Sequence, residues 1–128
     1  MSDVVMPMSR SLFVCDSYTG YPGGRIDLVG VLSVIRPGTY PHTRRRFVVF
    51  VQLSGDQGET PFFFEIRRES DDELIRTTAV RSLHFADRVT PVNLAMTVEH
   101  VPFTQPGVYA VSLFCHNKWV CDTAVMLS

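Results

Sequence analysis

The last quarter of the chain decides the fold: residues 102–127 read PFTQPGVYAVSLFCHNKWVCDTAVML. A Pro-Gly pair at 106–107 predicts a turn, because proline fixes φ at the second turn position and glycine accepts the positive φ that follows. Residues 108–115 are largely apolar on both alternating faces, which is typical of a central strand. A His-Asn pair at 116–117 predicts a two-residue turn, since asparagine adopts positive φ at low cost. The stretch therefore predicts a β-hairpin that returns through residues 118–127.

Two parts of this hairpin have specific predicted contacts. Counting back from the turn pairs Phe114 with Trp119, a cross-strand aromatic contact that contributes up to about 1 kcal/mol. Strict alternation then places Trp119 on one face with Cys121 and Val125. Tyr109 follows the turn glycine by two residues, as in the tyrosine corner of immunoglobulin-like sandwiches, where the phenol binds the backbone. We interpret Tyr109 as a packing residue rather than a ligand contact.

Upstream of the hairpin, apolar or alternating runs separated by turn residues continue through the chain. They predict strands at residues 10–17, 25–35, 44–54, 61–69, 74–80 and 92–101. Residues 81–90 fit no clear element beyond a possible strand fragment, and no stretch has helical periodicity. Gly30, inside the second predicted strand, indicates a bulge or a close approach by another backbone. The sequence predicts an all-β, antiparallel β-sandwich of about eight strands, immunoglobulin- or C2-like.

Length and composition exclude several classes of protein. The 128 residues fit one domain, in which residues 1–9 are expected to be a loose lead-in. A net charge of −1 argues against a nucleic-acid binder, and no apolar run approaches the ~20 residues of a membrane-spanning helix. The N-terminus lacks the basic and apolar segments of a signal peptide. With three cysteines (Cys15, Cys115 and Cys121) that lack metal-ligand spacing, this predicts reduced thiols and a cytoplasmic location.

Three motifs resemble a group of small bacterial β-sandwich proteins of unknown function. The motifs are Phe-Val-Cys-Asp at 13–16, Ile-Asp-Leu-Val-Gly-Val at 26–31 and Phe-Thr-Gln-Pro-Gly-Val-Tyr at 103–109. Such proteins have a Cys-Asp after the first strand, a Leu-x-Gly second strand and a Pro-Gly-x-Tyr hairpin. The resemblance implies the sandwich fold and no mechanism. This chain departs at residues 116–117, where His-Asn stands in place of the more usual Asp-Gly.

The tyrosines of a Gly-rich loop are the first candidate binding surface. Tyr18 and Tyr21 lie in the segment YTGYPGG, which we predict to be an exposed loop. Tyrosines on loops of a rigid sandwich provide a large contact area at low entropic cost. Tyr40 joins this surface if its own loop lies at the same end of the sandwich.

An arginine cluster is the second candidate. Arg44, Arg45 and Arg46 stand in a row at the start of a predicted strand. They could bind phosphate, nucleic acid or an acidic partner. The plainer interpretation is a solvated strand entry that discourages edge pairing.

Metal and thiol chemistry have weaker support. The four histidines and three cysteines show no zinc spacing, so no metal and no cofactor is predicted. A calcium site would need converging oxygens, and the loop aspartates are scattered along the sequence. Cys15 beside Asp16 could act as a nucleophile only with a histidine base. We favour a buried Cys15, with Asp16 ending the first strand and capping backbone N–H groups of the next loop.

The function predicted from the sequence is a non-enzymatic protein-binding or assembly module. It would use loops at one end or an exposed strand edge, and its partner would be another protein or a second copy of the chain. No nucleic acid, membrane insertion or small-molecule substrate is expected. The alternative is a ligand- or calcium-binding regulatory domain, and an enzyme built on Cys15 is a remote third.

Overall fold

The computed structural model describes residues 6–128, with all of their side chains except that of Arg10. This part of the chain forms ten strands and no helix, and hence no helix long and apolar enough to cross a membrane. The strands are β1 (Met8–Gly20), β2 (Ile26–Leu32), β3 (Val34–Ile35), β4 (His42–Ser54), β5 (Gly58–Arg68), β6 (Glu73–Thr77), β7 (Arg81–Phe85), β8 (Val92–Phe103), β9 (Gly107–Cys115) and β10 (Lys118–Leu127).

The strands form two sheets that enclose one apolar core. One sheet has the order β2-β1-β4-β8, and the other has the order β3-β10-β9-β5-β6, with β7 also paired to β5. Every pairing is antiparallel except that of β3 with β10. Alternate residues of the central strands, such as Val49, Val51, Phe64 and Leu113, are almost completely buried. The predicted all-β antiparallel sandwich is confirmed, with more strands than the predicted eight.

The closing hairpin is formed largely as predicted. His116 and Asn117 have φ values of 51° and 62°, which makes them a two-residue turn, and Phe114 is opposite Trp119. The predicted common face of Trp119 and Cys121 is wrong. A β-bulge between these residues places an extra residue in β10, so Cys121 lies opposite Leu113 while Trp119 stays outside and is 57% exposed.

Tyr109 forms the predicted corner at the start of β9. Its hydroxyl donates a 2.7 Å hydrogen bond to the carbonyl oxygen of Gln105, and the side chain is fully buried. The ring packs edge-on against Phe103, with 4.9 Å between the ring centroids. The contact ties the loop between β8 and β9 to the core.

Several predicted boundaries differ from the structure. Strand β1 continues to Gly20, because it stays paired with β2 beyond its last pair with β4 at Cys15, so the predicted loop at 18–24 shrinks to the turn at 21–25. The unassigned region 81–90 contains β7. Of the predicted lead-in, residues 1–5 lie outside the described residues, and β1 already begins at Met8.

The two sides of the sandwich differ in how their edges are connected. On one side the chain passes directly from β2 in the first sheet to β3 in the second. On the other side the outer strands are β8 in the first sheet, and β6 and β7 in the second. Within residues 6–128, the outer edges of these three strands pair with no further strand.

Candidate functional site

A groove runs between the edge of β8 and the edge formed by β6 and β7. It consists of adjoining depressions, the two largest of which have volumes of about 500 and 430 Å³ and share Arg81, Met96 and Thr97. Leu94 and Met96, each 8% exposed, lie along the β8 side of the groove together with Thr97. The groove therefore combines an open strand edge with a mainly polar lining, in which Leu83, Leu94 and Met96 provide a smaller apolar part.

An interruption between β6 and β7 shapes the wall of the groove opposite β8. Both strands pair with β5, but residues 78–80 between them form no strand. Thr78 bridges the gap, because its N–H donates to the carbonyl of Phe64 and its hydroxyl accepts the N–H of Phe64, both at 2.9 Å. Arg76 and Arg81 lie on either side of the interruption and line the larger depression.

One contact shows which way the backbone of β8 faces. Nη2 of Arg76 lies 2.7 Å from the carbonyl oxygen of Glu99, so this oxygen points away from β4 and towards β6. The register with β4 is unbroken from Asn93 to Glu99. Since N–H and C=O groups of alternate residues in an antiparallel strand point to the same side, those of Ala95 and Thr97 also face the open edge.

Four arginines give the groove a positive rim. Arg45 and Arg46 line it on the β4 and β8 side, and Arg76 and Arg81 on the other. Within the described residues, no carboxylate lies within 4.0 Å of any of these four guanidinium groups. Among the described residues, two acidic side chains lie on this rim: that of Glu99, which is exposed, and that of Asp16, which pairs with Arg44.

The structure brings half of the predicted binding residues to this groove. Tyr18, 41% exposed, lines it beside Thr97, and Arg45 and Arg46 lie further along the same side. Arg44 is turned to another partner, since its Nη2 lies 2.6 Å from Oδ1 of Asp16.

The other two tyrosines lie elsewhere. Tyr21, in the turn after β1, donates to Asp27 at 2.8 Å and has the Arg25 guanidinium 4.3 Å from its ring centroid. Tyr40 donates to the carbonyl of Ser128 at 3.2 Å, just beyond the end of β10. The turn that contains Tyr21 contacts the first residues of β8, whereas Tyr40 lies near the last residues of β8. The three tyrosines therefore do not form the predicted common surface.

The position of the Asp16 side chain explains why residue 30 of the Leu-x-Gly motif is glycine. Gly30 has φ of +69°, and a Cβ atom built on it would lie 2.3 Å from Oδ2 of Asp16. The close approach predicted at Gly30 therefore comes from a side chain and not from another backbone. The prediction that Asp16 ends the strand and caps the following loop is wrong, because β1 continues and the carboxylate binds Arg44 instead.

A buried polar cluster joins two loops at one end of the sandwich, and no sequence pattern predicts it. Oδ2 of Asp56 accepts hydrogen bonds from Thr60 at 2.5 Å and pairs with Nε2 of His116 at 2.9 Å, and Oδ1 accepts the N–H of Gln57 at 2.7 Å. Burial raises the pKa of Asp56, but the hydrogen bonds outweigh burial and hold the pKa below its usual range. The hydrogen bond to Asp56 gives His116 a structural role in addition to its place in the turn.

The thiols lie in surroundings that do not favour nucleophiles. Cys15 is fully buried, and burial, followed by the charge of Asp16, raises its pKa. Burial raises the pKa of Cys115 to about 12. A nucleophilic cysteine needs a lowered pKa and access to solvent. Within the described residues, no group of three His, Cys, Asp or Glu side chains could hold a metal ion.

The loop aspartates considered for calcium bind groups of the protein. Besides Asp16 and Asp56, Asp71 pairs with the buried Arg68, and Asp87 accepts the N–H groups of Val89 and Thr90. Each carboxylate thus has its own local partners.

The fold and the groove define a small two-sheet β-sandwich domain with an open, arginine-lined strand edge. The model of a protein family of unknown function, DUF6941, matches residues 10–126, and the chain belongs to this family. The resemblance to uncharacterised β-sandwich proteins is confirmed. None of the curated proteins matches the chain in sequence.

Two solved structures are similar to the chain in fold. One is the alkylpurine DNA glycosylase AlkC of Pseudomonas fluorescens, bound to DNA with an abasic site analogue, at 12% identity and a TM-score of 0.56. The match covers 94% of this chain but only 30% of the glycosylase. The other is an immunoglobulin-like protein of Pseudomonas aeruginosa, at 13% identity and a TM-score of 0.47, with 96% of this chain and 97% of that chain covered.

Proposed function

We propose that this chain is a non-enzymatic protein-binding or assembly module that binds its partner along the groove between β8 and the β6–β7 edge. The observation that carries the proposal is the unpaired edge of β8, which lies in a groove with a few apolar side chains in its lining and arginines on both sides. Strand addition at such an edge is a common mode of peptide recognition, because main-chain hydrogen bonds give affinity and neighbouring pockets give specificity.

The partner is another protein or a second copy of the chain. Three free cysteines support a cytoplasmic setting, where thiols stay reduced. The buried surroundings of Cys15 and Cys115 support a binding role over thiol catalysis.

Site-specific photo-crosslinking in the host tests the proposal. A photoreactive amino acid replaces Thr97 in the groove or, as the matched control, Ala124, which is exposed on β10 in the other sheet. We expect Thr97 to yield one dominant crosslinked protein, or a crosslinked dimer, that the Ala124 position does not yield. Equal crosslinking at both positions, or none at Thr97 in a variant with normal melting temperature, would contradict the proposal.

A further inference from the structure

We infer that the segment bound in this groove is an extended chain in which acidic and apolar side chains alternate, and that it is added to the sheet beside β8. The inference rests on the proposed function and specifies the chemistry of its partner. Three observations carry it: the direction of the free backbone groups, the apolar side chains in the lining of the groove and the distribution of charge.

The free backbone groups require an extended partner. Ala95 and Thr97 present their N–H and C=O groups to the open edge, two residues apart, as the ladder of an added strand requires. Successive side chains of such a strand point to opposite faces. One set of partner side chains would then lie towards Leu83, Leu94 and Met96, which line the groove. This set should be apolar.

The other set meets the arginines. Arg46 lies on the β8 side of the groove, and Arg76 and Arg81 lie on the opposite side. Within the described residues no carboxylate lies within 4.0 Å of these three guanidinium groups, and the nearest acidic neighbours on the rim are Glu99 and Asp16. Carboxylates are the protein groups that match a guanidinium in both charge and planar geometry. Aspartate or glutamate at every second position therefore fits this rim, whereas lysine would be repelled.

Arg76 would change its partner when the segment binds. In the free protein it donates to the carbonyl of Glu99, which is a neutral acceptor on the very edge that the segment must occupy. A carboxylate from the partner would replace this acceptor by a charged one, and charge-assisted hydrogen bonds are roughly twice as strong as neutral ones. An acidic partner can thus release the edge of β8, whereas a neutral one would have to displace Arg76 without compensation.

A nucleic acid fits the same groove less well. Its backbone carries a charge at each nucleotide, and it offers neither the alternating N–H and C=O groups that pair with the edge of β8 nor aliphatic side chains that would contact Leu83, Leu94 and Met96. Single-stranded DNA is therefore the competitor to exclude in the test.

Fluorescence anisotropy with labelled peptides tests the inference. The probes are a peptide of roughly eight residues, enough to span the open edge, that alternates glutamate with leucine or threonine, its counterpart with lysine for glutamate, and single-stranded DNA of similar length. We expect the acidic peptide to bind at least about tenfold more tightly than the lysine peptide, and to weaken with salt. Arg46→Glu with Arg81→Glu should weaken it about tenfold or more.

Two further variants separate charge from strand addition. Arg36→Glu changes an exposed arginine outside the groove and should leave binding unchanged. Thr97→Pro removes an N–H that faces the open edge and should weaken binding at unchanged charge. Equal binding of both peptides, or tighter binding of DNA, would overturn the inference. If the Thr97 crosslink persists in that case, the proposed function stands with a partner of other chemistry; if the crosslink is absent too, both fail.

Discussion

Arg76 on β6 and Glu99 on β8 meet across the gap between the two sheets, with 2.7 Å between the guanidinium nitrogen Nη2 and the carbonyl oxygen. The contact joins the outer strands of the two sheets. Beyond it, the edge of β8 stays unpaired within the described chain, and the remaining arginines of the groove have no carboxylate partner there. An unpaired strand edge is a surface on which another chain can pair.

The glycine opposite Asp16 should not tolerate a side chain. Gly30→Ala places a Cβ atom 2.3 Å from the carboxylate and forces alanine to a φ of +69°. We expect a loss of about 2 kcal/mol or more in the free energy of unfolding, measured by urea denaturation. Gly20→Ala in the same hairpin is the control, because nothing lies within 4 Å of its Cβ position.

Combining Gly30→Ala with Asp16→Ala should restore part of the loss, because the clash disappears and only the strain of positive φ remains. If Gly30→Ala is as stable as Gly20→Ala, the interpretation of the Leu-x-Gly motif is wrong.

The Asp56 cluster predicts a pH-dependent contribution to stability. The pKa of Asp56 is lower in the folded protein than its usual 3.8, so the ionised carboxyl stabilises the fold above about pH 4, and this contribution is lost as the pH falls through the folded value. Asp56→Asn should cost about 1 kcal/mol at neutral pH. The difference between the two proteins should shrink in acid, as followed by thermal unfolding from about pH 7 to 3. A difference that does not change with pH would count against the cluster.

The corner tyrosine should contribute through its hydroxyl as well as its ring. Tyr109→Phe keeps the buried ring and removes the hydrogen bond to Gln105, and we expect a loss of about 1 kcal/mol in unfolding free energy. Tyr21→Phe removes an exposed hydroxyl and should leave stability unchanged. Chemical denaturation of both variants compares them directly, and equal stability of the two would refute the structural role of Tyr109.

Thiol reactivity tests the remote enzymatic alternative. Burial raises the pKa of Cys15 and that of Cys115, so both should resist iodoacetamide in the folded protein and react only after denaturation. Mass spectrometry after a short exposure near neutral pH would count the modified residues. Fast alkylation of Cys15 in the native protein would revive the thiol-enzyme hypothesis.

The parts of the fold that the sequence predicts well are those set by local signals. The hairpin of β9 and β10 follows from alternation and two turn dipeptides, and these also set its Phe114–Trp119 pair. The bulge after Trp119 has no comparable sequence signal, so strict alternation predicts the wrong common face for Trp119 and Cys121. Tyr18 to Gly20 looked like a loop because of its glycines, yet pairing with β2 extends the strand through it. Tertiary pairing here overrides local preference.

The groove could be predicted only in part. Tyr18, Arg45 and Arg46 were selected by residue type, and all three line it. No sequence pattern predicts that Arg76 and Arg81 line the groove. Their position depends on the interruption between β6 and β7 and on which strands lie at the edges of the sheets. Sheet order depends on contacts between residues far apart in sequence. Neither the period of the hydrophobic pattern nor the amino-acid composition predicts these contacts.

Site-resolved amide hydrogen exchange of the free protein, measured by NMR, tests most directly whether the edge of β8 is available. The N–H groups of Leu94, Met96 and Val98 face β4 and should exchange slowly, whereas those of Ala95 and Thr97 should exchange roughly tenfold faster or more. This alternation along one strand is the predicted result. Uniformly slow exchange along β8 would mean that its edge is already paired or covered, and would contradict the account of the groove as a binding surface.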